Sequence, residues 1–371
     1  MRSDLPLAMS RIGVGLGVGA AAYALSGLHL RSLFSFLLRA APRSDGWQLD
    51  FAPTEIGWAD RAFLLLFGVL PKAVRSVLGR GLRVQGRDEI ELPRLELRCP
   101  VRIGDEQKAA YRKSLGAAEW SEVGAKEFVL AAVTNQLMLL LVVHPRLPVS
   151  PLGAVNVRNR IEFHATFDTD QPLTAHASVG GNDNLARVTR RGVELDIHID
   201  VFAASSASQL VMRQIITILA LGPSTPRSNA PPPAESLDRS QKDANYTSAG
   251  MIKMHSASPR AWCRVCGDYN PIHVSSLLAR LFGFRGKIAH GNHVVAHTLH
   301  LVSSASGPSL VREITDASKG RRWWIEMHFR RPMVLPLQLA AQIAADNSEV
   351  EWRCNGAKDD KVYVQGSIGA L

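Results

Sequence analysis

An aspartate and a histidine five residues apart, Asp268 and His273, lie in the segment of this chain richest in residues able to move protons, Trp262-Cys-Arg-Val-Cys-Gly-Asp-Tyr-Asn-Pro-Ile-His273. Gly267, Asn270 and Pro271 are turn formers, so the backbone is expected to fold tightly there. A tight turn brings Asp268 and His273 side by side. A carboxylate beside an imidazole can share one water and pass protons near neutral pH. Downstream, Ile288-Ala-His-Gly291 precedes an apolar run. A glycine opening a helix leaves backbone N–H groups uncovered, and such donors stabilise an oxyanion growing on a carbonyl such as that of a thioester. The plainer alternative makes Asp268 a cap and His273 a hydrogen-bonded turn residue.

Other groupings compete for chemistry. Cys263 and Cys266 form a C-x-x-C, the spacing of a redox pair or of half a zinc site, but no second such pair exists. His290, His293, His297 and His300 fall near one face of a helix, where three histidines can hold zinc. No acidic residue accompanies them, so hydrogen-bonded or cleft-lining histidines fit better and no metal is expected. Trp324, Glu326 and His328 alternate along a strand and share a face, read here as a solvated one.

The elements that must position these residues follow from periodicity. Lys126–His144 is apolar almost all round and long enough for a buried helix, ended by Pro145 and Pro148. Strand-like runs follow at Ala154–His164, Leu173–Val179, Arg187–Thr189 and Val193–Val201, then an apolar stretch Ser208–Leu221. The Pro-rich segment Gly222–Ala244 reads as a linker. Beyond it the order repeats, with a helix over Asn292–Ser303 and strands at Trp323–Phe329, Leu335–Ala344, Glu349–Arg353 and Lys361–Ser367. A helix followed by a meander, twice, suggests two copies of one α+β unit.

Composition narrows the partners. The chain has 371 residues, 46% hydrophobic and 20% charged, enough for two cores. Its formal charge is +10, but the cations are scattered and no basic stripe interleaves with aromatics, so nucleic acid is not expected. A phosphate-bearing carrier suits a diffuse positive field. Four cysteines make no disulfide framework.

The segment Val265–Ala279 resembles the signature of the MaoC-like, (R)-specific enoyl-CoA hydratase family. Val265, Cys266, Gly267, Asp268, Asn270, Pro271, Ile272, His273 and Ala279 match it, although the family more often has Ser at the position of Cys266. Gly283-Phe284 with Ile288–Gly291 resembles the family's second block, and Phe329-Arg-Arg-Pro332 the strand after its central helix. Pro336-Leu337 stands where Pro-Gly is usual, and Asn156–Ile161 resembles a segment of the N-terminal half of two-domain members. The resemblance covers roughly residues 90–371.

It implies a double hot-dog, each half a long helix wrapped by a curved antiparallel sheet, packed as a pseudo-dimer within the chain. It implies reversible hydration of a trans-2-enoyl thioester, carried by coenzyme A or acyl carrier protein, to the (R)-3-hydroxyacyl thioester. Asp268 and His273 would activate water, the Gly291 N–H would polarise the carbonyl, and Asn270, Gly267 and His290 would shape the loop or bind substrate. No cofactor is required. The first half lacks the motif and is expected to be non-catalytic. The domains on this reading are residues 86–222, a linker 223–245, and a catalytic half 246–371; a homodimer remains open. The competing class is a non-catalytic acyl-thioester-binding or structural hot-dog protein.

Residues 1–85 lie outside the resemblance. Ile12–Leu30 carries no Asp, Glu, Lys or Arg and approaches the ~20 residues of a membrane span, yet is rich in Gly and Ala. It reads as a targeting or membrane-associated segment, mitochondrial or membrane-bound in consequence; a helix packed on a cytoplasmic protein is the alternative. Ala62–Leu70, leading into Lys72, Arg75 and Arg80, reads either as a membrane-surface helix or as one packed on the first domain.

Overall fold

The helix expected in each half, Lys126–His144 and Asn292–Ser303, is present, and each is wrapped by strands. The computed structural model of the protein describes residues 29–38, 46–77, 88–204, 209–221, 245–303, 309–315, 320, 322–345 and 349–371. Most of the Ile12–Leu30 run and nearly all of the linker lie outside the described residues. Phe128–Val143 is buried along almost its whole length, as a helix apolar on every side must be. Its counterpart in the second half is Gly291–Val302.

The strands are β1 (Trp47–Gln48), β2 (Glu89–Ile90), β3 (Leu95–Val101), β4 (Ala154–Phe163), β5 (Leu173–Val179), β6 (Ala186–Thr189), β7 (Gly192–Ala203) and β8 (Leu210–Leu221), then β9 (Thr247–Met254), β10 (Trp323–Phe329), β11 (Leu337–Ala345), β12 (Glu349–Gly356) and β13 (Val362–Ala370). They form one sheet in the order β1-β3-β5-β7-β8-β4-β10-β13-β12-β11-β9, with β6 extending β7 and β2 pairing with β6. The inner strands of each half therefore run first-third-fourth-fifth-second in chain order, β3-β5-β7-β8-β4 and β9-β11-β12-β13-β10, with the long helix between the first and second. This is a double hot-dog. The repeat expected from element order is real, and each copy also opens on a strand before its helix.

The second strands of the two halves pair antiparallel, Ile161 opposite Ile325 and Asn159 opposite Met327. Glu326 on this seam accepts hydrogen bonds from Arg158 Nε and Nη2 at 3.1 and 3.0 Å, Arg160 Nη1 at 3.3 Å and His328 Nε2 at 2.9 Å. Burial would push its carboxyl up, but the bonds from His328 and Arg158 outweigh that and hold it at about 2. Arg160 also lies over the Trp324 ring at 4.4 Å. The face read as solvated is thus an ion-pair network joining the halves.

The N-terminal region is built in more deeply than the sequence suggested. Strand β1 pairs parallel with β3, and Leu33, Phe36, Trp47, Leu49 and Phe51 are core residues. Trp47, Leu49 and Phe51 thus pack with the first half. Helical segments Trp58–Leu64 and Leu70–Val77 are joined by a π turn, Leu65–Val69. Gly68 in that turn is buried against Val143, where an added Cβ would lie 3.1 Å from the valine Cβ. Lys72, expected on a basic outer face, points inward instead. Its Nζ donates to the carbonyls of Val142 and His144 at the end of the Phe128–Val143 helix, where a cation complements the helix dipole. Burial, then the nearby Arg75 charge, lowers its pKa to about 7. The opposite face carries Leu66, Phe67, Leu70 and Val74, each between 44% and 58% exposed. Among the described residues no helix is long and apolar enough to cross a membrane.

Candidate active site

The motif begins at the end of the helix Ser258–Cys266, which Gly267 terminates in the left-handed region at φ 67°. Only glycine suits the place on two counts: the backbone angle, and the Gln136 amide of the first half, which a β-carbon would overlap. The chain then turns on polar groups. Asn270 N donates to Asp268 Oδ1 at 3.0 Å, and Ile272 N donates to Asn270 Oδ1 at 3.3 Å, so Asn270 caps the short helix Pro271–Val274 that carries His273.

His273 Nδ1 lies 2.9 Å from the Ile288 carbonyl. A carbonyl only accepts, so Nδ1 carries the proton and Nε2 presents a lone pair. That Nε2 is 3.8 Å from Asp268 Oδ2. The gap is too long for a direct hydrogen bond and short enough for both atoms to bond to one water. His290 stacks on His273 with ring centroids 3.7 Å apart, and its Nε2 donates to the Asp268 carbonyl at 3.0 Å. The same carbonyl accepts from Cys263 Sγ at 2.9 Å. Burial, then the neighbouring His273, lowers the His290 pKa well below the ordinary value and keeps the ring neutral. His290 therefore holds Asp268 and supports His273.

Asp268, His273 and His290 have ligating atoms within 4.8 Å of one another, the residue types of a metal site. Their hydrogen bonding suits that role poorly. His290 Nε2 is committed as a donor to Asp268 O, and the stacked rings direct their in-plane lone pairs along nearly parallel planes rather than at one point. Cys263 and Cys266 are poor ligands too: burial, then the Asp268 charge, pushes the Cys263 thiol up to about 12 and Cys266 well above its ordinary value. The other three histidines turn away from this cluster. His293 Nε2 lies 3.0 Å from the Ser114 carbonyl, and Gly124 N donates to His300 Nδ1 at 3.3 Å. Burial, then the charge of the next histidine along, lowers His293 to about 3 and His297 to about 4. They join the halves.

Gly291 is the first residue of its helix, where no intrahelical partner exists for the N–H. The Phe329 ring of β10 approaches so closely that a β-carbon would overlap it. Gly291, Asp268, His273 and His290 all line one cavity of about 760 Å³. Its far wall is the first half, with Gln136, Leu139, Leu140 and Ile218, and its roof is the N-terminal helical segment, with Trp58, Arg61, Leu64 and Val69. Arg61 lies over the Tyr269 ring at 4.5 Å. Asp268 is the only carboxylate among the described lining residues, against Arg61, Arg191, Arg330 and Arg331.

The sequence model described as "MaoC like domain" matches residues 239–322, the stretch that holds the whole Asp268–Gly291 site. Residues 239–322 are thus similar to MaoC-like domains. A relative, 3-hydroxyacyl-thioester dehydratase X of Mycobacterium tuberculosis, is 26% identical over 216 residues, 57% of this chain and 67% of the relative. The crystal structure of HtdX from the same organism superposes with a TM-score of 0.54 at 19% identity, over 77% of this chain and 98% of that one. A MaoC-like dehydratase from Phytophthora capsici gives 0.53 at 13% identity, over 76% and 96%. These superpositions concern the fold.

Three parts of this region escaped the sequence reading. Gln136 lies inside a helix read only as apolar. Asn159 bridges halves, donating to Asn292 Oδ1 at 3.4 Å and accepting from Gln214 Nε2 at 3.2 Å. Arg61 lies in the region set apart from the catalytic fold. The polar residues Thr134-Asn135-Gln136 inside an apolar run were the available signal for the first; Asn159 stands between two arginines, and neither it nor a lone arginine gives one.

Proposed function

We propose that this chain catalyses the reversible hydration of a trans-2-enoyl thioester to the (R)-3-hydroxyacyl thioester. The observation that carries the reading is the pairing of His273 Nε2 with Asp268 Oδ2 across 3.8 Å, the imidazole fixed in one tautomer by Ile288 O. Water held by both atoms attacks C3 of the enoyl group. The C–O bond forms, the C2–C3 π pair moves toward the thioester carbonyl, and the water proton passes to the pair. The pair then returns a proton to C2, so one water has added across the double bond. The Gly291 N–H, at a helix N-terminus, is the donor for the enolate oxygen. Dehydration runs the same steps backward.

The name of the Mycobacterium tuberculosis relative, a 3-hydroxyacyl-thioester dehydratase, supports the substrate class. The arginines lining the cavity favour an anionic carrier, coenzyme A or acyl carrier protein. We assign catalysis to residues 246–371 and the role of cavity wall to residues 86–222, which contribute no Gly-Asp-x-Asn-Pro-x-His segment. The decisive experiment follows the enoyl absorbance of crotonyl-CoA with the full chain, together with chiral analysis of the product. Loss of absorbance and an (R)-product are expected. Tight binding without turnover would instead make this a thioester-binding protein.

A further inference from the structure

We infer that the helical segment Trp58–Val77 docks on an anionic lipid bilayer and opens the cavity toward it. The segment has two working faces. Arg61, Leu64 and Val69 roof the cavity, while Leu66, Phe67, Leu70 and Val74 face outward and line nothing. Exposed apolar side chains grouped on one helical surface mark a contact site. Inward anchoring holds that surface open: Lys72 is fixed to the end of the Phe128–Val143 helix and Gly68 is packed on Val143, so the segment cannot roll over to bury its outer face.

Charge selects the partner. Apart from Lys72, which is anchored inward, the sequence from Ala62 to Arg87 holds Arg75, Arg80, Arg83 and Arg87 and no Asp or Glu. An apolar face within a purely cationic stretch is the pattern of an interfacial helix on anionic lipid. Position argues the same way. The helix Leu30–Leu38, which packs on Trp58–Leu64, adds exposed Phe34 and Leu38, and the charge-free run Ile12–Leu30 leads directly into it. The choice of a bilayer rests in one respect on the acyl-thioester reading: long-chain thioesters partition into lipid, and a roof that touches lipid lets the chain enter the cavity without crossing water.

The test is co-sedimentation of the full chain with vesicles of phosphatidylcholine alone and of phosphatidylcholine with phosphatidylglycerol. Wild type should bind the anionic vesicles preferentially. Leu66→Glu with Phe67→Glu should weaken binding on the order of 100-fold, while its circular dichroism and crotonyl-CoA turnover stay at wild-type values. The milder Leu66→Ser with Phe67→Ser should give an intermediate loss. Turnover of a long-chain enoyl thioester carried in the vesicles should fall in the same order. Equal vesicle binding by wild type and the Glu variant would overturn the proposal, as would failure of wild type to bind. So would sedimentation showing a dimer that the Glu variant dissociates, which would make the face a contact between copies. If crotonyl-CoA is not turned over at all, the hydratase reading fails while vesicle binding is still judged on its own.

Discussion

The two halves share one topology and differ at the start of one helix. In the first half the central helix opens with Phe128, is buried along almost its whole length and bears only Thr134, Asn135 and Gln136 as polar residues. In the second it opens with Gly291, follows His290 and bears Asn292, His293, His297 and His300. Sheet, order and helix placement therefore do not distinguish the halves. On the proposed function, reactivity comes from a glycine that exposes a helix N-terminus and from a capped turn that brings a carboxylate and an imidazole to it. The apolar helix supplies the opposite wall.

That contrast can be broken at its strongest point. Asp268→Asn and His273→Ala should each lower crotonyl-CoA turnover by about 10²–10⁴-fold, the range for a lost acid–base partner, with unchanged thermal melting. Retention of most activity by either would refute the mechanism. Gly291→Ala should reduce turnover by about 10²–10³-fold, as expected when an oxyanion donor is displaced, because the methyl must push Phe329 and the helix start apart. A larger effect on kcat than on KM would locate the loss in the transition state.

Gly267→Ala examines the contact between halves. It should destabilise by about 1–3 kcal/mol through backbone strain, and more through its overlap with Gln136. Gln136→Ala in the same chain should recover the second part and leave the first, read as denaturant midpoints. The smallest effect is expected from acid. His293 and His297 are neutral in the fold, with pKa values near 3 and 4 against an ordinary 6.5. Below 6.5 the unfolded chain takes up protons that the fold refuses, so stability is full above that pH and declines as pH falls toward 4. Because His293 bonds to Ser114 of the first half, His293→Gln should flatten that decline.

The geometry of the motif was readable because it is local. Gly267, Asp268, Asn270 and His273 are brought together by a turn and a cap, and sequence states both. Strands with alternating faces were readable too; Trp323–Phe329 has the expected bounds. What escaped was either symmetric in polarity or distant in sequence. Leu210–Leu221 is apolar on successive residues, and such a run does not distinguish strand from helix by period. Trp324, Glu326 and His328 look solvated until β4 is known to lie beside them. The roof over the cavity was invisible because its inward residues, Arg61 and Lys72, are cations that composition assigns to a surface.

The β4–β10 pairing has a consequence for how such a molecule can change. Two separate identical subunits joined along the same strands would be bound by a twofold axis, and any substitution in one would appear in the other. Covalent continuity removes that obligation. Each half drifts under its own selection while the partner stays tethered at high effective concentration. One half can then surrender its catalytic turn and enlarge the room for a guest molecule, and the other can keep its geometry untouched. The asymmetry between Phe128 and Gly291 is what that freedom permits.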